Sequence, residues 1–508
     1  MPIVTIKLER IIMLKHILFF GFLLLTSSRA HSEFSHFITR EGSQLLDGDK
    51  VLRFAGLHAP ELHRIEDDER GVCKADRRGW GQYFKWPTSD EQQNWIRSLV
   101  RSGQKVTRIY VLSVAQSDDV LCERQVHILP PIDASHMPRL NETAMQVFDN
   151  MIALADLEGL RLIVPFIDHW SWWGGRAELA AFYAESADDF YDPNSKTYQA
   201  YQSIIQQVIT RTNSITGRKY FEEKAIMAWE TGNELKDSTP EFVTPTSALI
   251  KRLAPQQLVV DGNYLTVLST SLDDPNVDII SNHFYSSNHN NKPQTIVDNL
   301  TAIQGKKAYI VGEFGLLPLE QIQRILQGAV NVDVNGAQTS GALVWGFRGR
   351  RHNGGFYWHR EGNSDYYSYH LPGFVEGAAN DEQAVNNALR QAQAGMLGEL
   401  NAPPLPIPLA PKLRPISQNR DINWLGSPVG RQYRIERKAL NDNQWQVIVS
   451  GITDGKNQYD SRVDNLFTDT QALSPGKTYV YRVIASNESG ESPPSNEQLL
   501  IVADVAKP

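Results

Sequence analysis

The chain has 508 residues, 50 Lys and Arg against 58 Asp and Glu, and a formal net charge of −8. That length exceeds one barrel of ~250 residues and leaves room for two or more domains. The acidic balance argues against a nucleic acid partner, and 41% hydrophobic with 21% charged residues is the make-up of an ordinary soluble protein.

Residues 1–30 read as an export signal. Read from Met13, Lys15-His16 is a basic start, 17–25 is apolar and Ser28-Arg29-Ala30 fits a small-x-small cleavage site. The apolar run is too short to span a membrane. The mature chain is therefore expected to begin near His31, secreted or periplasmic, with no membrane attachment after cleavage. The two cysteines, Cys73 and Cys122, fall in polar, loop-like stretches. In an oxidising compartment they form a disulfide; the alternative is two unpaired thiols.

The patterning next predicts strands over 51–57, 105–112, 160–167, 225–230, 257–261, 278–285, 308–313 and 341–347. Helical patterns lie over 89–101, 142–157, 177–184 with 197–212, 247–253, 295–303, 319–330 and 384–397. The helix after the fifth strand carries the weakest signal. Eight strands alternating with helices indicate an α/β fold, a (β/α)8 TIM barrel over 31–400. A doubly wound open sheet is the rival, and no glycine-rich phosphate loop favours it.

Two strands end alike. The run 225–229 leads through Glu230-Thr231-Gly232 to Asn233-Glu234, and 308–311 leads through Gly312 to Glu313. A carboxylate just past a buried strand has no packing reason to be there, and the ends of parallel strands are where ligands bind. The Asn-Glu pair occurs four times, at 141, 233, 487 and 496, and only the second follows a buried-strand pattern. Two such carboxylates suit glycoside hydrolysis, in which one protonates the leaving oxygen and the other attacks or activates water. The plainer alternative for each is a salt-bridged or solvated loop glutamate.

Other strand ends carry unusual residues. Arg108 lies among apolar neighbours in the second strand and, if buried, needs a carboxylate. Asp168-His169-Trp170 ends the third, His283-Phe284-Tyr285 the sixth and Trp345 the eighth. Arg, His and Tyr around a carboxylate hold it ionised and oriented. Nine of the eleven tryptophans fall between Trp80 and Trp358, and Trp80, Trp86, Trp170, Trp172, Trp173 and Trp358 sit in loop-like stretches. Core packing accounts for some; stacking on sugar rings at a cleft accounts for others. No Cys/His cluster calls for a metal, and no cofactor is expected.

The segment 401–415 holds six prolines, a stiff linker or a strapped-down connection. Short alternating strands follow over 422–425, 432–438, 445–449 and 478–485, reading as a small all-β, immunoglobulin-like sandwich.

Taken together, the stretch from about 37 to 397 resembles glycoside hydrolase family 5. The resemblance rests on Arg108, Asn233-Glu234, His283, Tyr285, Glu313 and Trp345, in order and on the expected strands. The segment 228–234, with Trp170 followed by Trp173-Gly174-Gly175 and Tyr183, is similar to the β-mannanase subgroup. The opening 53–58 departs from the wording commoner among mannanases. The resemblance implies Glu234 as general acid/base and Glu313 as nucleophile of a retaining hydrolase. It implies Asn233 on the sugar 2-hydroxyl, Arg108 and Tyr285 on Glu313, His283 near Glu234 and Trp345 under the sugar, with His169 and Trp170 completing the substrate-binding set. The implied function is a secreted, monomeric endo-β-1,4-mannanase acting on mannan, glucomannan or galactomannan. Alternatives are another β-glycanase such as a β-1,4-glucanase, a chain-end β-mannosidase, or a non-catalytic carbohydrate-binding protein. Residues 411–502 resemble a fibronectin type III domain, through Trp424, 433–437, 473–483 and the turn 487–492.

Overall fold

The computed structural model describes residues 34–67, 83–357, 369–374, 381–455 and 465–504. The expected signal peptide, Cys73, Trp80 and Trp358 lie outside the described residues.

Eight parallel strands form one sheet: β1 (Phe54–Leu57), β2 (Val106–Arg108), β3 (Arg161–Pro165), β4 (Ile226–Glu230), β5 (Leu258–Asp261), β6 (Ile279–Phe284), β7 (Ala308–Gly315) and β8 (Gly341–Trp345). Each pairs with its chain neighbour from β2 to β8, and β8 pairs with β1. Closure falls between β1 and β2, where the Ala59 N–H donates to the Arg108 carbonyl at 2.9 Å and the Thr107 hydroxyl to the Leu57 carbonyl at 2.8 Å. The chain is a TIM barrel, as expected.

Helices begin where their caps stand. Thr88 and Glu91 form a reciprocal capping box at the start of α1 (Ser89–Arg101), and α2 (Glu142–Glu158) starts on the Asn141 side chain and stops at Gly159 with φ 82°. The helix before β5, α3 (Pro240–Leu253), starts two turns earlier than expected. The connection between β5 and β6 has only the short helix Ser269–Asp273.

The expected first strand divides at Arg53. Lys50–Leu52 belongs to a three-stranded antiparallel sheet with Ile38–Glu41 and Gln44–Asp47, and only Phe54–Leu57 enters the barrel. Ile38 and Leu45 of that small sheet join Phe54, Val106, Ile163, Ile279 and Ile310 in one buried cluster. They plug the bottom of the barrel, so the mouth at the strand C-termini is the end left for chemistry.

The C-terminal part is an antiparallel β unit built on β9 (Gln432–Ala439), β10 (Gln446–Ile452), β11 (Thr478–Asn487) and β12 (Gln498–Ile501). Its core gathers Ile422, Trp424, Tyr433, Ile435, Tyr481 and Val483. It packs on the barrel through a buried ion pair: Arg350, in the loop after β8, donates to Asp454 at 2.6 Å and to the Gly430 carbonyl at 3.0 Å. Tyr433 donates to the same carboxylate at 2.8 Å, and Asn94 of α1 to the Gly426 carbonyl at 2.6 Å. The proline-rich connection lies along the surface, held by Arg101 on the Ile407 carbonyl, Asn487 on the Pro406 carbonyl and Ser489 on the Leu405 carbonyl.

Candidate active site

The site grows from irregularities in two strands. Along β7, Ile310 belongs to the cluster inside the barrel and Val311 to the cluster between sheet and helices. Strict alternation would turn Glu313 outward. The pairing instead slips: Asn282 opposes Val311, but His283 opposes Glu313. This bulge at Gly312 turns the glutamate into the mouth. Gly312 is required there, since a Cβ would meet the Ser281 hydroxyl at 2.1 Å. After β4, the Asn233 N–H donates to the Ile167 carbonyl (2.7 Å) and Leu235 N–H to the Gly262 carbonyl (2.9 Å). Between them Glu234 takes a left-handed φ of 56°. For a residue with a Cβ that conformation costs ~1–2 kcal/mol and persists where its surroundings fix it.

These two turns bring the carboxylates together. An oxygen of Glu234 and one of Glu313 lie within 4.8 Å of each other and of a ring nitrogen of His283. His283 Nδ1 sits 2.8 Å from Glu234 Oε1, and the Trp170 indole donates to Oε2 at 2.6 Å. Tyr285 donates to Glu313 Oε1 at 2.5 Å; Arg108 reaches Oε2 at 3.1 Å and His58 Nδ1 is 3.3 Å from it. Arg108, fully buried, also grips Glu230 with two bonds of 2.6 and 3.1 Å and the Asn233 side-chain carbonyl at 2.9 Å. The carboxylate partner that Arg108 needs is thus mainly Glu230, the last residue of β4.

Electrostatics divide the pair. Burial pushes Glu313 up, but His283, His58 and Arg108 together pull it further down, to about 2. Burial lowers His58 itself to about 4, so the permanent charge opposite Glu313 is Arg108. Glu313 is therefore an ionised carboxylate at neutral pH. Glu234, His283 and Glu313 also offer the spacing of a cation site. Their oxygens and nitrogen are already engaged with one another, Trp170 and Tyr285, and Arg108 places a positive charge alongside, so the donor set suits proton transfer better than metal binding.

Aromatic rings floor the site. Trp345 is buried and lies 4.7 Å from His58 and 5.6 Å from Tyr110, centroid to centroid. Trp172 packs on both Tyr110 and Trp345 and donates to Glu66 at 2.9 Å. Trp173 is core, 1% exposed, and Trp170 is the exposed one at 42%. Of the residues expected in the site, His169 does not reach the carboxylates: its ring backs Trp170 at 4.7 Å and faces the Tyr191 hydroxyl and Arg176. His58, Tyr110 and Glu230 were not foreseen as site members, although Glu230 in an otherwise apolar strand was a signal of the same kind as Arg108. Cys122 is buried and disulfide-bonded.

Part of the chain is similar to known proteins. Residues 79–314 match the family model described as GH family 5 beta-mannosidase-like. Mannan endo-1,4-beta-mannosidase F of Aspergillus clavatus is 33% identical over 124 residues, 23% of this chain and 26% of that protein. A probable mannan endo-1,4-beta-mannosidase A of Aspergillus flavus is 26% identical over 218 residues, 42% of this chain and 53% of that protein. The chain thus spans only about a quarter to a half of these relatives. The endo-1,4-beta-mannanase structure from Rhizomucor miehei shares the fold, with a TM-score of 0.55 and 15% identity over 72% of this chain and all of the other. The segment that holds Arg108, Glu234, His283, Tyr285 and Glu313 is the segment that matches the beta-mannosidase-like group of glycoside hydrolase family 5.

Proposed function

We propose that the protein is a retaining glycoside hydrolase that cleaves β-1,4-mannosidic bonds, exported from the cell and acting as a monomer on mannan, glucomannan or galactomannan. The observation that carries this reading is the pair Glu234 and Glu313, with oxygens within 4.8 Å of each other. Retaining enzymes separate their carboxyls by ~5 Å, whereas inverting ones leave room for a water at ~6.5–9.5 Å.

Glu313, held ionised by Arg108 and Tyr285, attacks the anomeric carbon of the sugar lying over Trp345. Glu234 gives its proton to the departing glycosidic oxygen. The bond between sugar and leaving group breaks as the Glu313–sugar ester forms. Glu234, now ionised, takes a proton from water, which displaces Glu313 and restores the free sugar end with its original configuration. His283 and Trp170 hold one oxygen each of Glu234, which keeps the group aimed while it loses and regains its proton.

Chain-end action is the second reading. Gln116, in the long loop after β2, donates to the Ser171 carbonyl at 2.7 Å, and Glu66, after β1, accepts from Trp172. Both loops therefore lean on the Trp170–Trp173 segment at the mouth, which favours a walled cleft. For the C-terminal unit the reading is a fibronectin type III-like domain, supported by Trp424 fully buried against Tyr433 at 5.2 Å.

Product sizing tests both readings. The mature chain is incubated with galactomannan, glucomannan, carboxymethyl cellulose and mannooligosaccharides. A ladder of mannooligosaccharides without glucan cleavage is the expected result. One short product with polymer length unchanged selects chain-end action, and cleavage of cellulose alone discards the mannan assignment.

A further inference from the structure

Asp168 follows β3 and is fully buried beside the carboxylate pair, yet the reaction as derived above does not use it. Its Oδ1 accepts from the Asn233 side-chain amide at 2.9 Å, and its Oδ2 accepts from the Tyr110 hydroxyl at 2.9 Å. The same Asn233 amide also reaches the Tyr110 oxygen at 3.3 Å. The other end of Asn233, its carbonyl, receives Arg108 at 2.9 Å. Arg108 only donates and an ionised Asp168 only accepts, so the two fix the Asn233 amide in one orientation.

We propose that Asp168 is a positioning residue whose charge state sets the direction of the Tyr110 hydroxyl and thereby what Tyr110 offers a sugar in the mouth. The inference rests on the sugar-binding reading of the site. When Asp168 is ionised, Tyr110 must give it the hydroxyl proton. When Asp168 is neutral, its own proton has one acceptor available, the Tyr110 oxygen, because Asn233 and the Trp170 backbone N–H both donate to Asp168. The Tyr110 hydrogen is then released toward the cleft beside Trp345. A single proton thus converts Tyr110 from acceptor to donor as seen by a ligand. Asn233 keeps its orientation throughout.

The surroundings place this change in an accessible range. Among the described residues no cation pairs with Asp168: Arg108 from β2 stops at Asn233, and Arg176, at the start of the helix Arg176–Ala181, turns to Asp188 and His169. From the end of β4 the Glu234 carboxyl faces it, a like charge whenever Glu234 has given up its proton. Burial pushes the Asp168 carboxyl up to about 7 against the hydrogen bonds from Asn233, Trp170 and Tyr110, with Glu234 pushing it further up. Burial, with Asp168 and Glu313 nearby, raises Tyr110 well above its ordinary value, so its hydroxyl keeps its proton throughout.

The experiment uses the full chain carrying Glu234→Gln, which removes turnover, with and without Asp168→Asn. Asparagine mimics the neutral acid. Calorimetric binding of mannotetraose is measured from pH 5 to 9. The expected result is that binding by the parent weakens about two- to tenfold as Asp168 ionises, at a pH somewhat below about 7 because the Glu234 charge that helps raise it is gone; the size is the worth of one neutral hydrogen bond. The Asp168→Asn chain keeps the acid-side affinity throughout. Identical pH dependence in the two chains overturns the proposal. Failure of mannotetraose to bind at any pH overturns the mannan reading instead, and thermal unfolding then decides on Asp168. A folded-state carboxyl raised to about 7 contributes stability that is fully present below its ordinary value near 4 and is lost as pH rises to about 7. The loss of Tm between pH 4 and 7 is expected to be smaller in Asp168→Asn; equal slopes overturn the proposal here too.

Discussion

Two buried arginines serve opposite ends of this molecule. Arg108 stands at the barrel mouth, bonded to Glu230, Glu313 and Asn233; Arg350 stands at the seam with the C-terminal unit, bonded to Asp454 and the Gly430 carbonyl. Both are at most 2% exposed and both neutralise a carboxylate. The difference lies in the carboxylates. Asp454 shares one oxygen between Arg350 and Tyr433 and ends there. Glu313 has Arg108 on one oxygen and Tyr285 on the other, while facing Glu234 across less than 4.8 Å. A sealed pair holds elements together; a pair that keeps its carboxylate facing open space and a second carboxylate can do chemistry. Burial alone does not tell them apart.

The largest effects that separate the two regions come from the glutamates. Glu313→Gln is expected to lower kcat by about 10⁶, the scale of removing a nucleophile, and Glu234→Gln by about 10²–10⁴. Circular dichroism should be unchanged, since both stand at the mouth rather than in the core; retained turnover in both variants would sink the assignment.

Arg108→Met next strands Glu230 and Glu313 as buried charges. It is expected to cost about 3–5 kcal/mol in urea unfolding. It also moves the acid limb of kcat/KM. Glu313 is depressed to about 2, so activity that depends on its ionised form, and the stability that its charge contributes, are present above its ordinary value and lost as pH falls through about 2. Without Arg108 that limb should rise toward the ordinary carboxylate range, and an unmoved limb would remove Arg108 from its role.

Arg350→Met is expected to cost a similar ~3–5 kcal/mol while leaving kcat within about twofold of the parent at temperatures where the chain is folded. Adding Asp454→Leu should recover most of the loss, because an apolar pair can replace a sealed ion pair. The corresponding double replacement at Arg108 and Glu313 cannot recover activity. A seam variant that loses turnover while fully folded would erase the distinction drawn here.

The smallest effect is at Trp170. Trp170→Phe keeps a ring but removes the bond to Glu234 Oε2. One hydrogen bond to a carboxylate is worth about 1.5–3 kcal/mol, so kcat should fall about 10- to 100-fold with KM changed less.

The barrel was legible because its strands are apolar runs with clear ends. The eight expected strands each overlap an observed one, and the glutamates stood out because a glycine and then a carboxylate follow such runs. What sequence could not give was direction. The bulge that turns Glu313 inward is a slip in pairing with β6, visible only once His283 and Glu313 lie side by side. Arg53 ends one strand and precedes the next because its side chain leaves to bond the Thr339 and Ala329 carbonyls, partners nearly 300 residues away. The early start of α3 was hidden by two prolines: Pro240 stands at the first helical position, where proline is tolerated, but Pro245 lies inside the helix, where proline usually signals a break. Trp173 lies in a loop-like stretch that left core packing and a cleft role both open, and it is core because Phe84, Tyr110 and His63 close around it.

The strapped proline-rich connection has a consequence for any polymer that touches the C-terminal unit. A module on a free tether sweeps a volume, and its linker length sets the effective concentration at which it delivers its cargo. Here the connection is fastened to α1 through Arg101 and to the C-terminal unit through Asn487 and Ser489, and the unit itself is locked by Arg350. It sweeps nothing. Anything held on that unit would meet the mouth at one fixed distance and angle, so lengthening or shortening the segment 401–415 would not tune delivery as it does in tethered enzymes; it would only pry the seam apart.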